Sequence, residues 1–349
     1  MPRFISFSLF PLKVKRKKFM RKHLKNYFFL ALGLGIIFFI LSKVSLEELV
    51  EILKKSNPTF LLLGVILSMI QPVLAAMKWD LLLKNRDIKI PFHSLLSSQM
   101  IGIFVSSFFP SRYSGDIYRT YVVAKSSGKT YDSAASVLLQ RLSGLFVLVL
   151  IGFFGSIFCF AILGSYHLTL AVMIVCLTIL LIIGIIFSQK AFDIFDKVLK
   201  MLRLDFLRKP AVKFHIAVMK YLGDKKLIFK ICLLSFFFYI EAFLIVFTAS
   251  LAIGTKVPFI YIVFVVPVIY LLEALPISIN GLGIREGAFV FFFTKIGLQY
   301  EQAFAISIIV LFYRLVKSLA GGVLFLMRRV DIRRMKRTRV KSVLPVEDV

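Results

Sequence analysis

The sequence predicts an all-α fold, a polytopic integral membrane helical bundle of about six full spans plus two re-entrant or broken helical elements. Three observations predict it. Of the 349 residues 59% are hydrophobic and the mean hydropathy is +0.88, whereas soluble domains hold roughly half apolar residues or fewer. The apolar residues are gathered into blocks, and about 20 such residues suffice for a helix to cross a hydrocarbon core about 30 Å thick. The formal net charge of +27 falls between these blocks, where it orients a membrane protein and gives no ground for nucleic-acid binding. In lipid the backbone must satisfy its own hydrogen bonds, so the blocks are helices; the alternation expected of barrel strands is absent.

Residues 1–26 form a basic arm. Residues 4–12 are apolar, but Lys13, Lys15, Arg16, Lys17 and Lys18 follow them. A cleavable signal peptide puts its charge first, so none is expected. Met20 offers a second start beside Met1, directly before the first long block. The long blocks are 27–41, 60–83, 134–163, 168–187, 227–253 and 303–327. Two others test the topology: 95–109 is short, and 259–298 is interrupted by Pro267, Pro276, Gly281 and Gly283.

Basic loops stay on the cytoplasmic side. The strongly basic regions are the N-terminal arm, the segment 188–226 and the tail 328–349. If 95–109 and 259–275 each cross once, the bundle has eight spans and 188–226 falls outside. If each enters and returns, six spans place every basic region in the cytoplasm. The six-span arrangement is therefore favoured, with eight spans as the alternative. It makes 27–327 a membrane domain of the cell membrane with both termini cytoplasmic and anionic inner-leaflet lipids beneath the basic loops. Within 188–226, apolar residues alternate with lysines as in helices lying on a membrane surface. Asp193 and Asp196 have the spacing of a D-x-x-D metal motif, but an ordinary polar face explains them as well. Cys159, Cys176 and Cys232 all lie in apolar blocks and imply no disulfide framework, and the four histidines are scattered. No metal site and no cofactor are expected.

Ionisable residues inside spans cost roughly 2.5–3.5 kcal/mol on insertion scales and mark functional sites. Arg314 is near the middle of 303–327, with Lys317 on the same face. Glu241 is at mid-span in 227–253, Glu273 lies just before Pro276, and Arg141 is about two turns into 134–163. Depth alone makes Glu241 the expected partner of Arg314, with Glu273 and Glu286 as alternatives. Such a pair either pins two helices together or lines a polar cavity.

Two chain breaks share a pattern. In the first, Phe109-Pro110 leads through Arg112 to Gly115, Asp116 and Arg119. In the second, Leu275-Pro276 leads through Asn280 to Gly281, Gly283, Arg285 and Glu286. Each has Pro followed five residues later by Gly, then an acid and an arginine, then a span carrying Arg141 or Arg314. Pro ends a helix and Gly permits reversal, and amides at the next helix start can meet an anion. Corresponding broken helices in two halves point to an internal repeat with a transport site at its interface.

These residues carry a resemblance. The stretch from Gly102 to Leu145, with Phe109-Pro110, Gly115-Asp116, Arg119 and Gln140-Arg141-Leu142-Ser143-Gly144-Leu145, resembles the first signature of the lysylphosphatidylglycerol synthase transmembrane region. That family is also called the flippase-like domain family or UPF0104. Pro276 to Ala288, with Asn280-Gly281-Leu282-Gly283-Ile284-Arg285-Glu286-Gly287-Ala288, resembles its second signature, and Lys78-Trp79 followed by Leu81-Leu82-Leu83 a weaker upstream element. The similarity covers nearly the whole chain after Tyr27. In the multiple peptide resistance factors this domain is implicated in moving aminoacylated phosphatidylglycerol between leaflets, while a separate cytosolic domain makes the lipid. Some stand-alone members are linked to polyprenyl-phosphate sugar pathways. Only the membrane part is present here, so the resemblance implies lipid translocation or binding and argues against aminoacyl transfer.

The sequence-level reading is a protein that binds and translocates a phospholipid or polyprenyl-phosphate-type lipid. Arg112, Arg119, Arg141, Arg285 and Arg314 are the candidate phosphate contacts, because arginine stays ionised and pairs bidentately with phosphate. Asp116, Glu241 and Glu286 would hold those arginines in the absence of lipid and could receive a cationic headgroup. Gly115, Asn280, Gly281 and Gly283 would shape the binding backbone. There is no G-x-x-x-x-G-K-[ST] segment for a nucleotide. A membrane transferase acting on a lipid-linked phosphate is the enzymatic alternative, but it wants clustered carboxylates for Mg²⁺, and the sequence favours a non-enzyme. A non-catalytic scaffold, or a homo-oligomer, is the remaining reading.

Overall fold

The structure is a computed structural model describing residues 35–36, 38–108, 113–163, 166–202, 204–274 and 281–341. Among these residues every regular element is helical. Ser45 caps α1 (Leu46–Lys54) by accepting from the Glu48 N–H. Asn57 and Pro58 open α2 (Pro58–Lys84). The Asn57 side chain accepts from the Thr59 N–H at 2.9 Å, and a proline at the first helical position forfeits no bond. Then come α3 (Phe92–Phe108), α4 (Ser114–Ser127), α5 (Thr130–Leu163) and α6 (Tyr166–Phe187). The second half has α7 (Gln189–Met201), α8 (Asp205–Leu222), α9 (Lys225–Ala252), α10 (Phe259–Ala274), α11 (Ile284–Thr294) and α12 (Tyr300–Lys341). Asp224 caps α9 through the Leu227 N–H at 3.0 Å.

Five of the expected spans are long, apolar helices: α2, Thr130–Ile157 of α5, Thr169–Phe187 of α6, α9, and Tyr300–Met327 of α12. A 27-residue helix such as α2 reaches about 40 Å, enough to cross a bilayer with tilt. The remaining expected span, 27–41, lies mostly outside the described residues. The expected tail boundary at 327 is not a helix end, since α12 continues to Lys341.

The two short apolar segments do turn back. α3 and α4 have 17 and 14 residues, α10 and α11 have 16 and 11, all below the length of a span. α4 runs back along α3: the Gly115 N–H donates to Ser106 Oγ at 3.1 Å, Arg119 reaches Gln99, and Val123 packs in one cluster with Leu95. A Cβ on Gly115 would lie 2.1 Å from the Gly102 carbonyl oxygen, so only glycine allows this approach. α11 likewise returns along α10, and the Tyr261 hydroxyl near the start of α10 donates to the Phe292 carbonyl near the end of α11 at 2.6 Å. Two helical hairpins therefore replace the two single crossings that eight spans would require.

The expected internal repeat is visible in the packing. α2–α5 form one unit and α9–α12 another. Every neighbour relationship in the first is matched in the second: α3 beside α4, α4 beside α5, α2 beside α3 and α5. Across the units, α3 packs on α12 as α10 packs on α5. α2 and α9 lie on the axis between the units and run antiparallel. The Asn57 N–H donates to the Ala252 carbonyl at 2.7 Å at one end, and Asn85 Nδ2 to Asp224 Oδ2 at 3.1 Å at the other. The second unit is thus inverted relative to the first, the arrangement seen in transporters built of inverted repeats.

Outside this core, α7 and α8 form the expected amphipathic pair. Ile194, Phe195, Val198, Met201, Phe206 and Leu207 are exposed. Asp196 is engaged by Arg208 in a two-bond fork at 2.8 and 2.9 Å, which holds its carboxyl below the usual range. His215 stacks on Phe192 with ring centroids 3.7 Å apart, and its partial burial lowers its pKa.

Candidate functional site

Both hairpins face one charged cavity of about 630 Å³ in the middle of an otherwise apolar bundle. A second lobe of about 660 Å³ shares Asp116, Arg119, Arg141, Glu273, Arg314 and Lys317 with the first. The lining comes from α2, both hairpins, α5, α9 and α12, so the cavity lies at the interface of the two units.

The α3/α4 side is built around Asp116. Its position one residue after Gly115 sets it beside the hairpin crossing, where its carboxylate accepts from both Arg119 and Arg141. Arg119 is buried and also donates to Gln99 and, at 2.6 Å, to Gln140. Its guanidinium lies 5.2 Å from the Trp79 ring centroid, and that of Arg141 lies 4.5 Å from Tyr113, geometries that favour a cation over an aromatic face. Gln140 is held in turn by donating to the Ala75 carbonyl at 2.7 Å. Lys78 projects from α2 into the second lobe and donates to Ser235 Oγ on α9 at 2.8 Å.

The α10/α11 side is built around Glu273 and Glu286. Arg314 forks onto Glu273 with contacts of 2.9 and 3.2 Å. The expectation that Arg314 pairs with Glu241 is therefore corrected. Depth predicts proximity along the membrane normal but not which way a side chain faces, and the hairpin break carries Glu273 to Arg314. Gly281 permits this, since it has φ +79° and a Cβ there would fall 2.4 Å from Glu273 Cγ. Gly283, at φ +82°, starts α11, and its N–H donates to Glu286 Oε2 at 2.7 Å. Arg285 is 1% exposed and pairs with Glu286. Its Nε has no hydrogen-bond partner among the described residues.

Glu241 does not line the cavity. Its buried carboxylate is faced by Lys317 and Gln71, but neither oxygen closes a hydrogen bond among the described residues. Lys317 instead donates to Gln71 Oε1. Arg112 and Asn280 lie outside the described residues. Of the other expected site residues, Asp116, Arg119, Arg141, Arg285 and Arg314 meet at the cavity with Gly115, while Gly281, Gly283 and Glu286 shape and support its wall. Lys317 and Glu273, already marked by their depth, belong to the lining as well. Gln71 and Gln99 carry no signal in the sequence because an uncharged amide leaves no charge in an apolar block; Gln140 is marked there only as part of the first signature.

A separate groove of about 750 Å³ opens on the bundle surface between α4 and α5. It is lined by Ile117, Thr120, Tyr121, Ala134 and Leu138, and it meets the cavity at Asp116 and Arg141. A charged chamber thereby adjoins an apolar surface.

The model of the lysylphosphatidylglycerol synthase TM region matches residues 28–322. A UPF0104 membrane protein of Pyrococcus horikoshii is 22% identical over 335 residues, covering 88% of this chain and 98% of its own. A UPF0104 membrane protein of Methanocaldococcus jannaschii is 24% identical over 235 residues, covering 64% of this chain and 93% of its own. Long apolar helices, paired hairpins and a match over most of its length place the chain in one group: it is a multi-pass membrane protein of the lysylphosphatidylglycerol synthase TM region family.

Proposed function

We propose that the protein binds a membrane lipid with a phosphate headgroup, of phospholipid or polyprenyl-phosphate type, and moves it between leaflets of the cell membrane. The observation that carries this reading is the arginine-rich cavity between two hairpins at the interface of inverted units. A translocated headgroup needs a polar path through hydrocarbon, while its chains stay in lipid. Arg119, Arg141, Arg285 and Arg314 supply forked donors for phosphate, and the groove beside Arg141 leaves room for a chain. Asp116, Glu273 and Glu286 keep these arginines compensated while no headgroup is bound, which lowers the cost of charge at this depth. Exchange of one hairpin's packing for the other's supplies alternating access, as inverted repeats do elsewhere. In this reading both termini and the basic α7/α8 pair face the cytoplasm and anionic inner-leaflet lipid.

Reconstitution tests it. Purified protein in liposomes should exchange fluorescent phospholipids between leaflets faster than protein-free liposomes do. Rates equal to the protein-free control for anionic, zwitterionic and aminoacylated lipids alike would refute translocation.

A further inference from the structure

We infer that the cavity selects a lipid whose headgroup bears net negative charge, a terminal phosphate or diphosphate, and discriminates against headgroups carrying an amino group. The inference rests on the lipid-translocation reading and names the class of lipid.

Charge and hydrogen bonding in the two lobes are unbalanced in one direction. Arg119, Arg141, Arg285 and Arg314 contribute four permanent cations to the lining, and Lys78 and Lys317 add two amine donors. Asp116 and Glu273 contribute its carboxylates, and Glu286 and Glu241 stand behind it. The acids have little left to offer a cationic guest. Asp116 already accepts from two guanidinium groups, Glu273 is forked by Arg314, and Glu286 accepts from Arg285 and the Gly283 N–H. Glu241 has unfilled oxygens, but it lies off the lining of both lobes and is faced by Lys317.

Donors, by contrast, are in surplus. Arg285 Nε has no partner among the described residues. An ammonium group has three N–H donors, and among the described residues Lys78 donates to Ser235 and Lys317 to Gln71, one bond each. A phosphate monoester carries about −1.5 to −2 charges at neutral pH with three strong acceptor oxygens, which matches both excesses at once. A phosphodiester carries a single charge and matches less well. A headgroup ammonium would enter a chamber where like charges outnumber unlike ones and every lining carboxylate is taken.

The test uses the full chain in phosphatidylcholine liposomes, each preparation carrying one fluorescent-chain lipid: phosphatidic acid, phosphatidylglycerol, phosphatidylethanolamine or lysylphosphatidylglycerol. Exchange of phosphatidic acid should exceed that of lysylphosphatidylglycerol by about tenfold or more, with the other two between. Equal rates, or a faster aminoacylated lipid, overturn the selectivity while leaving translocation intact. Binding is read separately, as thermal stabilisation in detergent by short-chain versions of the same lipids, so the inference stands or falls even if no lipid is exchanged. Equal stabilisation by all four overturns it. Stabilisation by inorganic phosphate or glycerol 3-phosphate equal to that by phosphatidic acid overturns a lipid as the ligand in favour of a soluble phosphate. Lys317→Gln removes one surplus amine and should narrow the preference for phosphatidic acid severalfold; an unchanged preference counts against the charge argument.

Discussion

Arg314 and Glu273 meet in a two-bond fork across 41 residues of sequence, joining the last long helix to the end of the short α10. Glu273 is 4% exposed in its side chain and Arg314 36%, the latter open to the cavity. Arg314→Ala would leave a buried carboxylate without its cation. A fully buried pair broken on one side loses about 3–5 kcal/mol, and the cavity-facing exposure of Arg314 puts the expected loss at the low end. Thermal unfolding of Arg314→Ala, Glu273→Gln and the double variant should show the double recovering part of the single losses. Strict additivity would mean that the fork contributes nothing.

Glu241 should behave differently from Glu273, although both are buried acids. Lys317 and Gln71 face the Glu241 carboxylate without closing a hydrogen bond among the described residues, so Glu241→Gln removes a costly buried charge and leaves an amide that can still meet Gln71. Its melting temperature should fall less than that of Glu273→Gln, or rise. The opposite order would show that Lys317 holds Glu241 as tightly as Arg314 holds Glu273.

Gly281→Ala tests the second hairpin. A side chain at φ +79° costs about 1–2 kcal/mol, and the added Cβ, 2.4 Å from Glu273 Cγ, would also displace the acid from Arg314. The variant should therefore lose lipid exchange as well as stability. If exchange persists undiminished in folded protein, the Glu273–Arg314 geometry is not needed for activity.

The α7/α8 pair should loosen on acidification. His215 has a folded pKa below its ordinary value of 6.5 because burial penalises its cation. The unfolded segment therefore takes up the proton first, and stability falls as pH drops below about 6.5. Asp196 adds a second step, losing its Arg208 pairing only as pH falls below its ordinary 3.8. Protection factors of amides in 189–222, taken relative to the intrinsic exchange rate at each pH, should fall between pH 7.5 and 5.5, and His215→Phe should abolish that first step. An unchanged profile in the variant would assign the effect elsewhere.

Topology has its own test. With Cys159, Cys176 and Cys232 replaced, a cysteine introduced at Lys197 should resist impermeant thiol reagents in intact cells. Efficient labelling there would place 188–226 outside.

The helices and both hairpins were legible because their causes are local. Apolar length marks a span, and Pro110 and Pro276, each five residues before a glycine, mark a reversal. The facing of buried charges was not legible. Glu241 and Glu273 both lie in apolar helices near Arg314 in depth, and only the fold-back after α10 decides between them. Gln99 helps hold Arg119 in place, yet an amide in an apolar helix carries no penalty large enough to single it out, and Gln140, its companion, is marked only by the signature it belongs to. Chain reversal predicts the demand for glycine at 281, whereas its second cause, the close passage of Glu273, depends on tertiary placement.

The inverted pairing of α2–α5 with α9–α12 leaves the scaffold without an intrinsic top or bottom. Turned over, the two units exchange places, so their packing on each other does not distinguish one face of the bilayer from the other. Orientation must then be encoded in ornament on the frame: the lysines and arginines of 188–226 and of the two termini. Moving a modest number of those charges to the opposite loops should let the same chain insert upside down. The protein's polarity in the membrane would thus be evolutionarily adjustable without redesigning its core.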